Sequence, residues 1–92
     1  MNKFLISYQP PKDGDYSVCN NAIRDLGEVC HPYDSLWILL YQGSKLDVLN
    51  KIWNATEQKG FLYITECSTD PICAGFKESD RAWIKRHLPR DK

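Results

Sequence analysis

The six residues Leu36-Trp37-Ile38-Leu39-Leu40-Tyr41 are apolar at every position, and no other part of the chain constrains the fold as strongly. A short apolar run that follows turn residues, here Tyr33-Asp34-Ser35, reads as a strand. Successive side chains of a strand point to opposite faces. Leu36, Ile38 and Leu40 therefore face one way, and Trp37, Leu39 and Tyr41 the other. A sheet with one face in water alternates apolar with polar residues. This strand does not, so both of its faces need a cover. Phe4-Leu5-Ile6 near the N-terminus behaves in the same way.

The elements around that run follow from periodicity and stop signals. Lys3–Tyr8 is the first strand, ended by Pro10-Pro11, which have no N–H to give a ladder. Asp15 is the expected N-cap of a first helix, whose apolar stripe is Tyr16, Cys19, Ile23 and Leu26 and whose stop is Gly27. Val29–Tyr33 and Leu36–Tyr41 form a hairpin. Ser44 caps a second helix with Leu46, Leu49, Ile52, Trp53 and Thr56 on one face, and Gly60 ends it. Phe61–Cys67 is a fourth strand, Ser68–Gly75 a loop containing Asp70-Pro71, and Ser79–Leu88 a last helix with Trp83, Ile84 and Leu88 inward. The order βαββαβ plus a helix predicts an α+β, ferredoxin-like antiparallel sheet in the order 4-1-3-2, with both main helices on one face.

The second face then has two candidate covers, the C-terminal helix and another copy of the chain. A single short helix is small for a whole sheet face, so the expectation is a homodimer, with Leu36, Trp37, Ile38 and Leu39 as interface candidates and the helix contributing.

Length and charge bound the rest. Ninety-two residues, 42% hydrophobic, make one globular domain over 1–92, able to bury roughly 60–65% of its unfolded surface. Twelve basic and twelve acidic residues cancel overall. Residues 1–76 hold six Lys/Arg against nine Asp/Glu, whereas 77–92 hold six against three. A basic end suits nucleic acid or an acidic partner, and it also suits a helix C-terminus. Lys77, Arg81 and Lys85 recur every four residues with Arg86 adjacent, so they are the nucleic-acid-binding candidates. No export signal or membrane-spanning run is visible, which predicts a cytoplasmic protein with reduced cysteines. Asn54-Ala55-Thr56 then matches a glycosylation acceptor by chance.

The run Phe4-Leu5-Ile6-Ser7-Tyr8, then Asp15-Tyr16-Ser17 with Ala22-Ile23 and Leu26-Gly27, then Tyr33-Asp34-Ser35-Leu36-Trp37-Ile38 resembles a group of small bacterial and phage proteins labelled the SinR family, distinct from the helix-turn-helix repressor of that name. Ala82-Trp83-Ile84-Lys85 and His87-Leu88 fit the same group. That group is similar to the ferredoxin-like small subunit of the CRISPR adaptation machinery. The resemblance implies a homodimer that binds nucleic acid. It also implies a carboxylate after the first strand, to which a metal-dependent nuclease activity is assigned. Here that position is Gln9, and an amide lacks the charge that holds Mg²⁺.

No other constellation supplies an evident chemistry. Asp13 and Asp15 could hold one hydrated cation in an altered, degenerate nuclease, or could simply make a turn and a cap. His31 lies in an edge strand without an identifiable partner. The cysteines lack Cys-x-x-Cys spacing, and only Cys67 and Cys73 are expected to approach one another. No cofactor is implied. The reading favoured by Gln9 is a non-enzymatic, homodimeric binding protein whose partner is nucleic acid or another protein.

Overall fold

A computed structural model of the chain describes residues 1–67, 71 and 73–88. Asp70, and Arg90 and Lys92 of the basic end, lie outside them. The architecture is α+β, in the order β1 (Asn2–Gln9), α1 (Ser17–Leu26), β2 (Glu28–Tyr33), β3 (Leu36–Tyr41), α2 (Lys45–Ala55), β4 (Phe61–Glu66) and α3 (Glu78–His87). The four strands form one antiparallel sheet ordered β2-β3-β1-β4, or 4-1-3-2 counted from the β4 edge. No helix among the described residues is long and apolar enough to cross a membrane.

The first face carries the larger core. Phe4, Ile6 and Tyr8 of β1 and Trp37 and Leu39 of β3 pack against Cys19 and Ile23 of α1 and Val48 and Ile52 of α2. Two of the expected helix features shift. In α2 the buried line is Val48-Ile52-Thr56, while Leu46 is 63% exposed, because the helix rolls Val48 rather than Leu46 onto the sheet. The Ser44 hydroxyl accepts from the Asp47 N–H at 3.0 Å, as expected of a cap. In α1 the N-cap position is Tyr16 and has no side-chain cap. Asp15 acts one residue earlier, where its Oδ1 accepts from the Ser17 N–H at 3.0 Å and the Ser17 hydroxyl at 2.7 Å. Those two bonds hold its carboxyl below the usual range.

Two glycines are required, for different reasons. Gly27 ends α1 as expected, and it does so in an extended conformation (φ 173°) rather than a left-handed one. A Cβ there would lie 2.3 Å from the Leu40 carbonyl oxygen, and the chain must pass that close to enter β2. Gly60 does need positive φ, at +91°, and its missing Cβ leaves room for the Gln9 carbonyl and the Tyr8 hydroxyl.

Candidate functional site

The second sheet face is only half covered. Strand register divides it into transverse rows. One row runs Cys30, Ile38, Leu5, Thr65 across β2, β3, β1 and β4, and the next runs Tyr33, Leu36, Ser7, Tyr63, with Gln9 and Phe61 paired beyond it. α3 lies over the β2–β3 side of the first of these, where Ile84 and Leu88 pack on Cys30 and Ile38. Three contacts fix it there. The Cys30 thiol donates to Asp80 Oδ1 at 3.5 Å, the Trp83 indole N–H donates to Glu28 Oε2 at 3.0 Å, and His87 Nε2 approaches that same oxygen at 3.1 Å. The last is a close approach only, since the ring nitrogen makes no hydrogen bond of proper geometry.

Among the described residues, the part of this face that α3 leaves open carries exposed aromatic rings. Tyr33 is 54% exposed, Tyr63 66% and Phe61 76%. Phe76, in the segment before α3, stands edge-on to Tyr33 with centroids 6.1 Å apart. Between the helix and the β1–β4 side runs an open groove of about 280 Å³, lined among others by Leu5, Ile38, Cys67, Cys73 and Leu88. Sequence pattern places Phe61 and Tyr63 on a strand but does not say how far α3 reaches over them.

The four basic candidates, Lys77 at the N-cap of α3 and Arg81, Lys85 and Arg86 within it, are all exposed. Their disposition follows from helix geometry. Trp83 and His87 lean toward Glu28 on the edge strand β2. At ~100° per residue, Arg81 and Lys85 lie about 200° away, on the flank turned toward the groove. Glu78 and Asp80 in the first turn and Lys85, Arg86 and His87 in the last also match the helix dipole.

The interface candidates of β3 separate. Trp37 and Leu39 are fully enclosed beneath α1 and α2, and Ile38 is buried beneath α3. Of the four, Leu36 alone keeps partial exposure. Covering both parities of β3 therefore takes two helices on one face and α3 on the other. Of these candidates Leu36 is the one that a second copy could still touch.

The carboxylates do not gather around Gln9. Asp13 and Asp15 line a shallow depression with Tyr8, Glu57 and Lys59, whereas Gln9 pairs with Phe61 and belongs to the opposite face. Among the described residues, no three His, Cys, Asp or Glu side chains converge to hold a cation. His31, without a partner in the sequence reading, stacks on Trp37 at 4.5 Å and 12° between planes. Its Nε2 lies 3.2 Å from the Asp34 carbonyl oxygen.

All four cysteines are free thiols. Burial pushes the Cys19 and Cys30 thiols up to about 12, helped at Cys30 by the adjacent Asp80 carboxylate, and raises Cys67 as well. At pH 8 a thiol at 12 carries about a thousandfold less thiolate than one at 9. Maleimide or disulfide reagents at pH 8 are therefore expected to spare Cys19 and Cys30 in the native protein and to label all four in urea. Mass mapping of the labelled peptides reads this directly, and rapid native labelling of Cys30 would contradict its burial beneath α3.

Comparison with protein-family models, with curated proteins and with solved structures finds no match to this chain.

Proposed function

We propose that this chain is a non-enzymatic binding protein of ferredoxin-like fold, which works as a homodimer and takes single-stranded nucleic acid on the half of the second sheet face that α3 leaves bare. One observation carries the reading. Tyr33, Phe61 and Tyr63 stand exposed on one face of an antiparallel sheet, beside a helix flank that bears Arg81 and Lys85. Rings accept bases by stacking, worth roughly 1–3 kcal/mol per base and tolerant of sequence, while nearby cations meet the phosphates. Duplex recognition is not favoured, because a flat aromatic sheet enters neither groove. The resemblance to a homodimeric nucleic-acid-binding family agrees with this reading. Gln9, in the position of that family's carboxylate, and Asp15, committed to the first turn of α1, weigh against hydrolysis.

The test is fluorescence anisotropy with labelled oligo-dT and oligo-U across a range of salt. Both strands are expected to bind, with affinity falling as salt rises. Phe61→Ala with Tyr63→Ala is expected to weaken binding by about tenfold or more while leaving the salt slope unchanged. Absence of binding at low salt, or unchanged affinity in the folded double variant, overturns the reading.

A further inference from the structure

The two edges of the sheet differ. At the β2 edge, Pro32 removes one donor, the register shifts between Cys30 and Tyr33, and α3 lies over the strand. These are the devices by which sheets avoid pairing with other chains. Among the described residues, the β4 edge has none of them. Phe61-Leu62-Tyr63-Ile64-Thr65-Glu66 contains no Pro and no Gly, and its only charge is at its end. The Cys67 N–H donates to the Lys3 carbonyl at 2.8 Å, so in an antiparallel ladder the odd residues of β4 bond to β1. The N–H and C=O groups of Leu62, Ile64 and Glu66 consequently point outward. The flanks of this edge are apolar on both faces. Phe61 and Tyr63 are exposed on one, and on the other Leu46 and Leu49 line a shallow groove with Ile64, Lys45 standing at its rim as the one charged group.

We infer that β4 is a docking edge for β4 of a second copy, so that two sheets join antiparallel across a twofold axis at Tyr63. This rests on the homodimer of the reading above and names its surface. The strand is self-complementary in that register alone. With Tyr63 opposite the partner's Tyr63, Leu62 and the partner's Ile64 exchange both backbone bonds on the outward side. Phe61 then lies beside the partner's Thr65, apolar against a methyl-bearing side chain. Moving the axis to Ile64 sets the Glu66 carboxylate against Leu62, and moving it to Leu62 leaves one bonded pair in place of two, with Ile64 opposite Gly60 beyond the strand. The absence of charge between Phe61 and Thr65 means that nothing opposes like with like across the axis. The joined sheet also extends the aromatic face across both copies, since Tyr63 keeps its ring on that face.

The experiment uses Tyr63→Lys and Tyr63→Glu, read by size-exclusion chromatography with light scattering. Tyr63 is exposed, and circular dichroism checks that each variant folds. The unmodified chain is expected at twice the 10.7 kDa of one chain, and each variant alone at one chain mass. An equal mixture of the two is expected to return to the dimer mass, because the introduced ammonium and carboxylate then face one another across the axis. Tyr33→Lys, on the same face at the opposite edge, is expected to leave the dimer intact. If both Tyr63 variants stay dimeric, the edge pairing is overturned while the homodimer stands. A mixture that stays monomeric likewise overturns pairing at Tyr63. A monomeric unmodified chain at high concentration removes the homodimer reading and this inference together.

Discussion

Lys85→Glu combined with Arg86→Glu is expected to weaken binding to single strands by tenfold or more and to flatten the dependence of affinity on salt. Each phosphate contact on a single strand contributes about 0.7 to the slope of log K against log salt, so losing two lowers it by roughly 1.4. The slope is the sharper measure, because it separates two kinds of contact. Removing the rings Phe61 and Tyr63 lowers affinity without touching counterion release, whereas reversing the α3 charges changes both. Both residues are exposed, so the fold loses only favourable charge at the end of α3, about 0.3–1 kcal/mol for each. The variant should therefore melt within a few degrees of the unmodified chain. Binding of oligo-dT and oligo-U, measured at several salt concentrations, checks the expectation. An unchanged slope in the folded variant would mean that α3 is merely a solvated helix face.

The elements were legible because each carries its own signal. The Ser44 cap, the apolar pairs of β1 and β3, and the Trp83-Ile84-Leu88 side of α3 all fall where local pattern puts them. What pattern cannot supply is how far one element reaches over another. The doubly apolar β3 demands a second cover, but α3 supplies it over β2 and β3 and stops short of Phe61 and Tyr63. A helix of ten residues is ~15 Å long, while four strands at ~4.8 Å spacing, carrying side chains on every row, present a wider and longer face. The bare half is a matter of dimensions, which periodicity does not encode. His31 illustrates the same point in miniature. Its stacking on Trp37 follows from the pairing of β2 with β3, which sets Cys30 opposite Ile38 and so brings His31 beside Trp37, a register that no spacing in the sequence announces. The α2 stripe fails for a subtler reason. Leu46 and Val48 are both apolar, and the helix roll that chooses between them is set by packing on β1 and β4.

Trp37→Ala is expected to be the most destabilising single change on the sheet, because the ring is fully enclosed and joins three elements. It stacks on His31, lies 6.3 Å from the Tyr16 ring, and donates its indole N–H to Asn20 Oδ1 at 3.0 Å. Deleting a buried tryptophan side chain costs about 3–5 kcal/mol. A domain of this size holds roughly 5–14 kcal/mol of stability, so the loss is a large part of the whole and Tm falls by tens of degrees. Asn20 is only half-buried and can turn to water, which makes the lost packing the larger share. Trp37→Phe keeps a ring against His31 and should cost about 1–2 kcal/mol, for the indole bond and part of the volume. The neighbouring Leu36→Ala provides the control that makes the result structural. Leu36 points to the other face and is partly exposed, so its truncation should cost about 1 kcal/mol or less. Urea melts of the three variants read the difference. A large penalty at Trp37 and a small one at Leu36 is what two differently covered faces of one strand require. Equal penalties would mean that the second face is sealed as tightly as the first, and would remove the open surface on which a bound strand or a second copy depends.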